Sequence, residues 1–269
     1  MITLDDKYRF EDFGFICEPG YDDPLTPSFS RKTYSIPGRE GVITYGTEIK
    51  EKEFSYPLKV MERFHNEMQM KFERFASFFF DQYGNPRKIK MIRDYDPGKY
   101  YLVELAQQLL PERLPEDGAL VLPLVAYDPR AYSIVKSTDK ITWGTRIPFT
   151  TRIPFSYKSG QHIYDVHVPQ KLSVNNIGSI VVRPIIEIVG TAIGLTLTIH
   201  GESFSFGNLN NETLFIDAAT YTVMKNGKNH LFNTVGNLEK LELFPGNNIA
   251  RIGGENLNIK ITFNFRGKY

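Results

Sequence analysis

Between Leu58 and Phe80 the apolar residues Met61, Phe64, Met68, Phe72, Phe75 and Phe79 recur at intervals of three or four, the spacing of one helical stripe. The opposite face carries Glu62, Arg63, Glu67, Lys71, Glu73 and Arg74, and Gly84-Asn85-Pro86 supplies a stop just downstream. The pattern predicts one long amphipathic helix that packs its Met and Phe stripe onto a sheet. Elsewhere the chain reads as short β-prone runs cut by glycine and proline, which constrains the fold to a mainly β class with a single long helix.

Before the helix, Tyr8-Arg9-Phe10 and Val42-Ile43-Thr44-Tyr45 alternate as strands or hairpin arms. After it, Arg87–Ile92, Tyr100–Leu105 and Ala119–Ala126 read as strands, separated by Asp96-Pro97-Gly98 and by the loop from Pro111 to Gly118. The first domain is therefore α+β. From Lys171 onward every run is β-prone: 179–182, 185–189, 195–199, 213–216, 221–223, 238–244 and 257–265. Asn226-Gly227 suits a two-residue hairpin loop, and Pro245-Gly246-Asn247-Asn248 a further turn. Many short strands without a helical period indicate a β-sandwich. At 269 residues the chain has room for two domains, expected at 1–135 and 136–269. A short repeat, Thr145-Arg146-Ile147-Pro148-Phe149 then Thr151-Arg152-Ile153-Pro154-Phe155, reads as an extended connector or edge strand, because proline cannot donate to a ladder.

Lysine and arginine total 32 against 31 acidic residues, which argues against general nucleic-acid binding. The single cysteine, Cys17, excludes an intrachain disulfide and a cysteine-based zinc site, and its alternating flanks predict a buried thiol. No long apolar run or secretory leader is evident, so a soluble protein folded in a reducing cytoplasm is expected. His162, Asp165 and His167 are too few for a convincing metal site, and Gly201-Glu202-Ser203-Phe204-Ser205 lacks the second glycine and following helix of a hydrolase elbow. Glu112, Glu116 and Asp117 cluster in a proline-rich loop as a solvated turn. No catalytic residue, metal site or cofactor site is expected, and the chain does not read as an enzyme. In Tyr34-Ser35-Ile36-Pro37-Gly38-Arg39-Glu40-Gly41-Val42-Ile43 the glycines are followed by neither Lys-Ser/Thr nor a helix, so a phosphate cradle is excluded and a hairpin tip remains.

Taken in order, Ile36-Pro37-Gly38-Arg39-Glu40-Gly41, Asp96-Pro97-Gly98-Lys99-Tyr100-Tyr101, Tyr127-Asp128-Pro129-Arg130, Asn175-Asn176-Ile177-Gly178, Arg183-Pro184-Ile185-Ile186-Glu187-Ile188 and Leu243-Phe244-Pro245-Gly246-Asn247-Asn248-Ile249 resemble the distal tail protein (Dit) family of long-tailed phages with flexible, non-contractile tails. Glu40 stands where the family often has Asp. The resemblance implies a homohexameric ring of N-terminal domains surrounded by galectin-like C-terminal sandwiches, located at the virion tail tip after synthesis in the bacterial host cytoplasm. The implied partners are the major tail tube protein, the tail-tip hub or tail-associated lysin and, in some members, receptor-binding proteins, with no specific nucleic-acid or membrane binding. Pro37, Gly38, Arg39, Glu40 and Gly41 are then expected at a subunit interface, and Arg87, Lys88 and Lys90 toward protein or solvent rather than a DNA-passing lumen. A carbohydrate-binding module contacting the host wall is the alternative.

Overall fold

The computed structural model describes residues 2–139 and 162–269, and places the chain in two compact units divided between Ala131 and Tyr132. The 145–155 repeat and Trp143 lie outside the described residues. The fold is mainly β, as the run pattern predicts.

The first unit contains β1 (Ile2–Leu4), β2 (Phe15–Cys17), β3 (Phe29–Tyr34), β4 (Ile43–Ile49), β5 (Lys52–Met61), α1 (His65–Phe78), β6 (Ile89–Arg93), β7 (Asp96–Leu105), β8 (Glu112–Arg113) and β9 (Asp117–Ala126). An antiparallel sheet runs β1-β6-β7-β9-β5-β2, with β8 paired to β9. Strict alternation along β5 turns Phe54, Tyr56, Leu58 and Val60 inward, to the buried core that also holds Leu120, Leu122 and Leu124 of β9, the helix residues Met68, Phe72 and Phe75, and Phe79 just past the helix end. Phe75 meets the rings of Phe10, Phe13, Phe15 and Phe79, with centroids 4.7–6.2 Å away. Such an aromatic cluster combines large buried area with edge-to-face geometry.

The helix is shorter than its apolar spacing suggests. It begins at His65, because Leu58–Met61 continue the period-2 alternation of β5, and Met61 and Phe64 are exposed at 71% and 67%. Both periods fit that short overlap, and the sheet wins because it buries Leu58 and Val60. Tyr8-Arg9-Phe10 is likewise no strand. A 3-10 turn at Phe10–Phe13 forms instead, with Asp12 Oδ2 accepting from the Arg9 amide at 2.7 Å. Asp96-Pro97-Gly98 belongs to β7, and the reversal falls at Asp94-Tyr95, since Arg93 pairs with Asp96. Cys17 is half-buried rather than buried, with its thiol pKa raised by partial burial.

Gly118 is where the helix touches β9. A Cβ added there would stand 2.8 Å from Phe72 Cζ and 2.9 Å from Met68 Sδ. Gly118→Ala should therefore cost about 1–3 kcal/mol by overpacking, seen as a lower urea midpoint with an unchanged denaturant slope.

The second unit contains β10 (Tyr132–Lys136), β11 (Ile163–Val166), β12 (Gln170–Asn176), β13 (Ile185–Ile199), β14 (Glu202–Asp217), β15 (Thr222–Lys225), β16 (Lys228–Asn229), β17 (Gly246–Asn264) and β18 (Arg266–Lys268). The main sheet runs β11-β17-β13-β14-β15-β16 and is antiparallel throughout, with β12 also on β17, while β10 pairs with β18. The runs 185–189 and 195–199 are one long strand, β13. Its inward residues change parity across bulges, from Ile186 and Ile188 to Leu195, Leu197 and Ile199, and β17 does the same from Ala250 and Ile252 to Leu257, Ile259 and Ile261. A one-residue insertion would otherwise flip the apolar set outward, so the bulges both preserve the buried face and bend the strands. The sheet thereby curls around a single apolar core.

Residues 238–244 do not form a strand. Leu238–Lys240 is a 3-10 turn, and Leu243 makes one isolated bridge to Val182. Residues 179–182 likewise make only isolated bridges. Asn226-Gly227 does close the two-residue β15-β16 hairpin, with φ of 50° and 76°. Pro245-Gly246-Asn247-Asn248 runs into β17, and buried Asn248 closes the bend by accepting from the Phe244 amide and donating to the Phe244 carbonyl, both at 2.8 Å.

Candidate functional site

Ser203 stands on β14 opposite Thr198, whose hydroxyl lies 3.3 Å from its own, beside a two-residue hairpin turn in which His200 and Gly201 have φ of 51° and 86°. Among the described residues no three His, Cys, Asp or Glu side chains gather as a metal site. No helix among them is long and apolar enough to cross a membrane.

His162 is buried against the ring of Phe265, 5.5 Å between centroids, with Nδ1 3.2 Å from Tyr164 Oη. Burial lowers its pKa below the ordinary 6.5. The unfolded chain then binds a proton more readily than the folded one, so this histidine destabilises the fold as pH falls below about 6.5 and has no such effect above it. His162→Gln should flatten that part of the stability-against-pH curve, measured by urea unfolding between pH 5 and 8.

The feature that stands apart is the β3-β4 hairpin. Among the described residues it pairs with no other strand, and from residue 28 to 50 no side chain is buried, with only Ser30 and Gly46 half-covered. Pairing runs from Phe29 opposite Ile49 to Tyr34 opposite Ile43, with one register shift after Lys32. Pairing and period 2 place Phe29, Arg31 and Thr33 with Thr44, Thr47 and Ile49 on one face, and Ser30, Lys32 and Tyr34 with Ile43, Gly46 and Glu48 on the other, with Tyr45 the extra residue at the register shift. Both faces expose large apolar side chains, Phe29 and Ile49 on the first and Tyr34 and Ile43 on the second, and Tyr34, Tyr45 and Phe29 are exposed at 61%, 69% and 54%. The second face also carries the ion pair of Lys32 with Glu48.

At the tip the Arg39 amide donates to the Ile36 carbonyl at 3.1 Å. Pro37 is then the second residue of a β-turn and Gly38, at φ 81°, the third, the positions where a type II turn favours these two residues. All five expected interface residues, Pro37 to Gly41, are exposed on this loop, and among the described residues neither Arg39 nor Glu40 enters an ion pair.

Sequence reasoning missed what holds the arm at its base. Lys50 N donates to Ser28 O at 2.9 Å, and Ser28 Oγ to Glu51 O at 3.1 Å. Lys52 is 1% exposed, with Nζ donating to Tyr101 Oη at 2.9 Å and to Leu25 O at 3.3 Å, and it lies 4.6 Å above the Tyr101 ring. Asp23 receives Arg93 NH1 at 3.0 Å and the hydroxyl of Tyr95, and Asp22 and Ser55 exchange backbone hydrogen bonds. Burial first, then the Asp23 hydrogen bond, raises the Tyr95 pKa. One signal for this clamp was present: Lys52 shares the inward parity of Phe54, Tyr56 and Leu58. Arg87 and Lys90 pair with Asp5 and Asp6, while Lys88 is exposed.

Residues 8–125 match the family model of the phage tail protein RIFT-related domain. No curated protein has a significantly similar sequence. Among solved structures, the crystal structure of the Dit protein of phage SPP1, described as a paradigm of the hub adsorption apparatus in phages that infect Gram-positive bacteria, superposes with a TM-score of 0.71 at 12% identity, over 100% of this chain and 99% of that one. A chain of the phage P2 baseplate in its activated conformation with calcium aligns over 96% of this chain and 92% of its own, at 9% identity, with a TM-score of 0.37 that carries no weight here. Residues 8–125 thus resemble a phage tail protein RIFT-related domain, and the chain has the fold of the SPP1 Dit protein.

Proposed function

We propose that the chain is a non-catalytic distal tail adaptor of a phage virion. Six copies close into a ring through their first units, and the ring joins the tail tube to the tail-tip hub or tail-associated lysin and, through the tip, to host-recognition proteins. The second, galectin-like units surround it. The tail-domain match and the fold support this reading, and the observation that carries it is the unpartnered β3-β4 arm. A two-stranded hairpin alone is marginally stable in water, and a ribbon with exposed apolar side chains and open edges invites pairing with another chain. A head-to-tail contact of this kind, repeated with a fixed rotation, closes into a ring.

Electron-microscopy images of the purified protein test it: sixfold rings with a central hole are expected, and particles of single-chain size at high concentration overturn it. The second reading, a module binding host-wall sugar, is favoured by one cleft of about 590 Å³ in the second unit, lined by Tyr132, Arg183, Asp217, Glu242 and Asn264. Planar polar side chains beside an aromatic ring suit a sugar. Binding on a glycan array by the whole protein, lost in Asp217→Ala, would promote it.

A further inference from the structure

The outer face of the first unit's sheet, turned away from α1, holds two recesses of about 350 and 800 Å³ that share Gln107, Val121 and Pro123 and so form one groove. Its floor is apolar: Pro57 lies opposite Val121 across the β5-β9 pair, Pro123 opposite Ser55, and Val121 is 53% exposed. Its rim is acidic. Glu18 and Glu112 line one recess, Asp22 and Glu53 the other, and no lysine or arginine lines either among the described residues. None of these four carboxylates enters an ion pair there. The groove stays open with the chain's own arm in place.

The arm has the matching character. One of its faces joins Arg31 to Phe29 and Ile49, and the segment from 28 to 50 carries Arg31, Lys32, Arg39 and Lys50 against Glu40 and Glu48. An apolar ribbon with a cationic surplus fits an apolar floor with an anionic rim, and complementary potentials both steer the encounter and fix the register. We propose that the groove of one copy receives the β3-β4 arm of the next, with the face of Phe29, Arg31 and Ile49 turned to it. This rests on the ring reading and names the receptor surface within it. The contact is heterologous, since arm and groove are different patches of the same chain, which is the geometry that propagates around a ring.

Charge reversal tests the pairing. Asp22→Lys with Glu53→Lys alters only exposed rim side chains, and Arg31→Glu with Arg39→Glu alters the arm. Each pair of substitutions alone should raise the concentration for half-assembly at least tenfold, while the chain carrying all four should recover most of the loss. Thermal melts of the diluted chains verify folding, and Asp22→Asn with Glu53→Gln provides a milder variant expected to weaken assembly in the same direction. Wild-type assembly that persists in the reversed-groove chain, or a four-fold variant that stays as weak as either parent, overturns the groove as receptor while leaving the ring reading intact. A wild-type chain that never assembles overturns both.

Discussion

Gly190→Ala is expected to unfold the second unit, or to leave it with a small fraction of its stability. Gly190 sits in the first bulge of β13 at φ 136°, and a Cβ there would lie 2.1 Å from the backbone oxygen of Asn258 on β17. That oxygen cannot move aside as a side chain could. Its strand is held to β13 along both halves, from Ile185 opposite Asn264 to Ile199 opposite Ala250. Overpacking costs about 1–3 kcal/mol, and an alanine forced into that backbone region adds about 1–3 kcal/mol more. Against a domain stability of about 5–15 kcal/mol the sum is large. Gly194→Ala is the control: φ is 60° and nothing stands within 4 Å, so only the backbone penalty of about 1–2 kcal/mol applies. Urea unfolding followed by far-UV circular dichroism should rank the two clearly, and equal midpoints would contradict the close approach of β13 and β17.

Asp23→Ala should be nearly as damaging to the first unit. The Arg93 and Asp23 side chains are only 9% and 4% exposed, so removing the carboxylate leaves a guanidinium in a largely dry setting. Breaking such a pair from one side costs about 3–5 kcal/mol. The lower end is expected, because Asp96 stands 3.7 Å from Arg93 NH2 and retains part of the attraction. Since residues 22–28 form the root of the arm, the same substitution should also weaken assembly. A variant that melts like wild type would show that the clamp contributes no stability, and one that is destabilised yet assembles normally would separate the clamp from the arm's placement.

Much of this fold is legible in the residues. The α1 stripe from Met68 to Phe79, the alternation of β5 and β9, and the Asn226-Gly227 hairpin follow from period and turn chemistry alone. The lost information has identifiable physical causes. Glycines 190, 194, 253 and 254 look like the ends of strands in sequence, yet they permit bulges inside strands of 15 and 19 residues. A break in parity reads the same way whether the chain turns back or merely bends. The region from Leu58 to Phe64 satisfies two periods at once, and only tertiary burial decides between them.

The candidate site was half legible. Pro37-Gly38 marks a turn and Arg39-Glu40 its exposed tip, and the structure puts all of them at the end of an arm. What the arm needs from the rest of the chain was hidden, because the Arg93-Asp23 pair spans 70 positions. No local pattern links the two. Lys52 was the one visible irregularity, a lysine on an otherwise inward apolar face.

The most direct test of assembly through the arm is the native mass of two chains by light scattering. Ser28 and Lys50 are already joined by a backbone hydrogen bond, so residues 29–49 can be replaced by a short Gly-Ser-Gly turn without moving either end. The full chain should run at about six times its 30.9 kDa mass and the shortened chain as a folded monomer. A full chain that remains monomeric, or a shortened chain that still assembles to the same mass, would contradict the account.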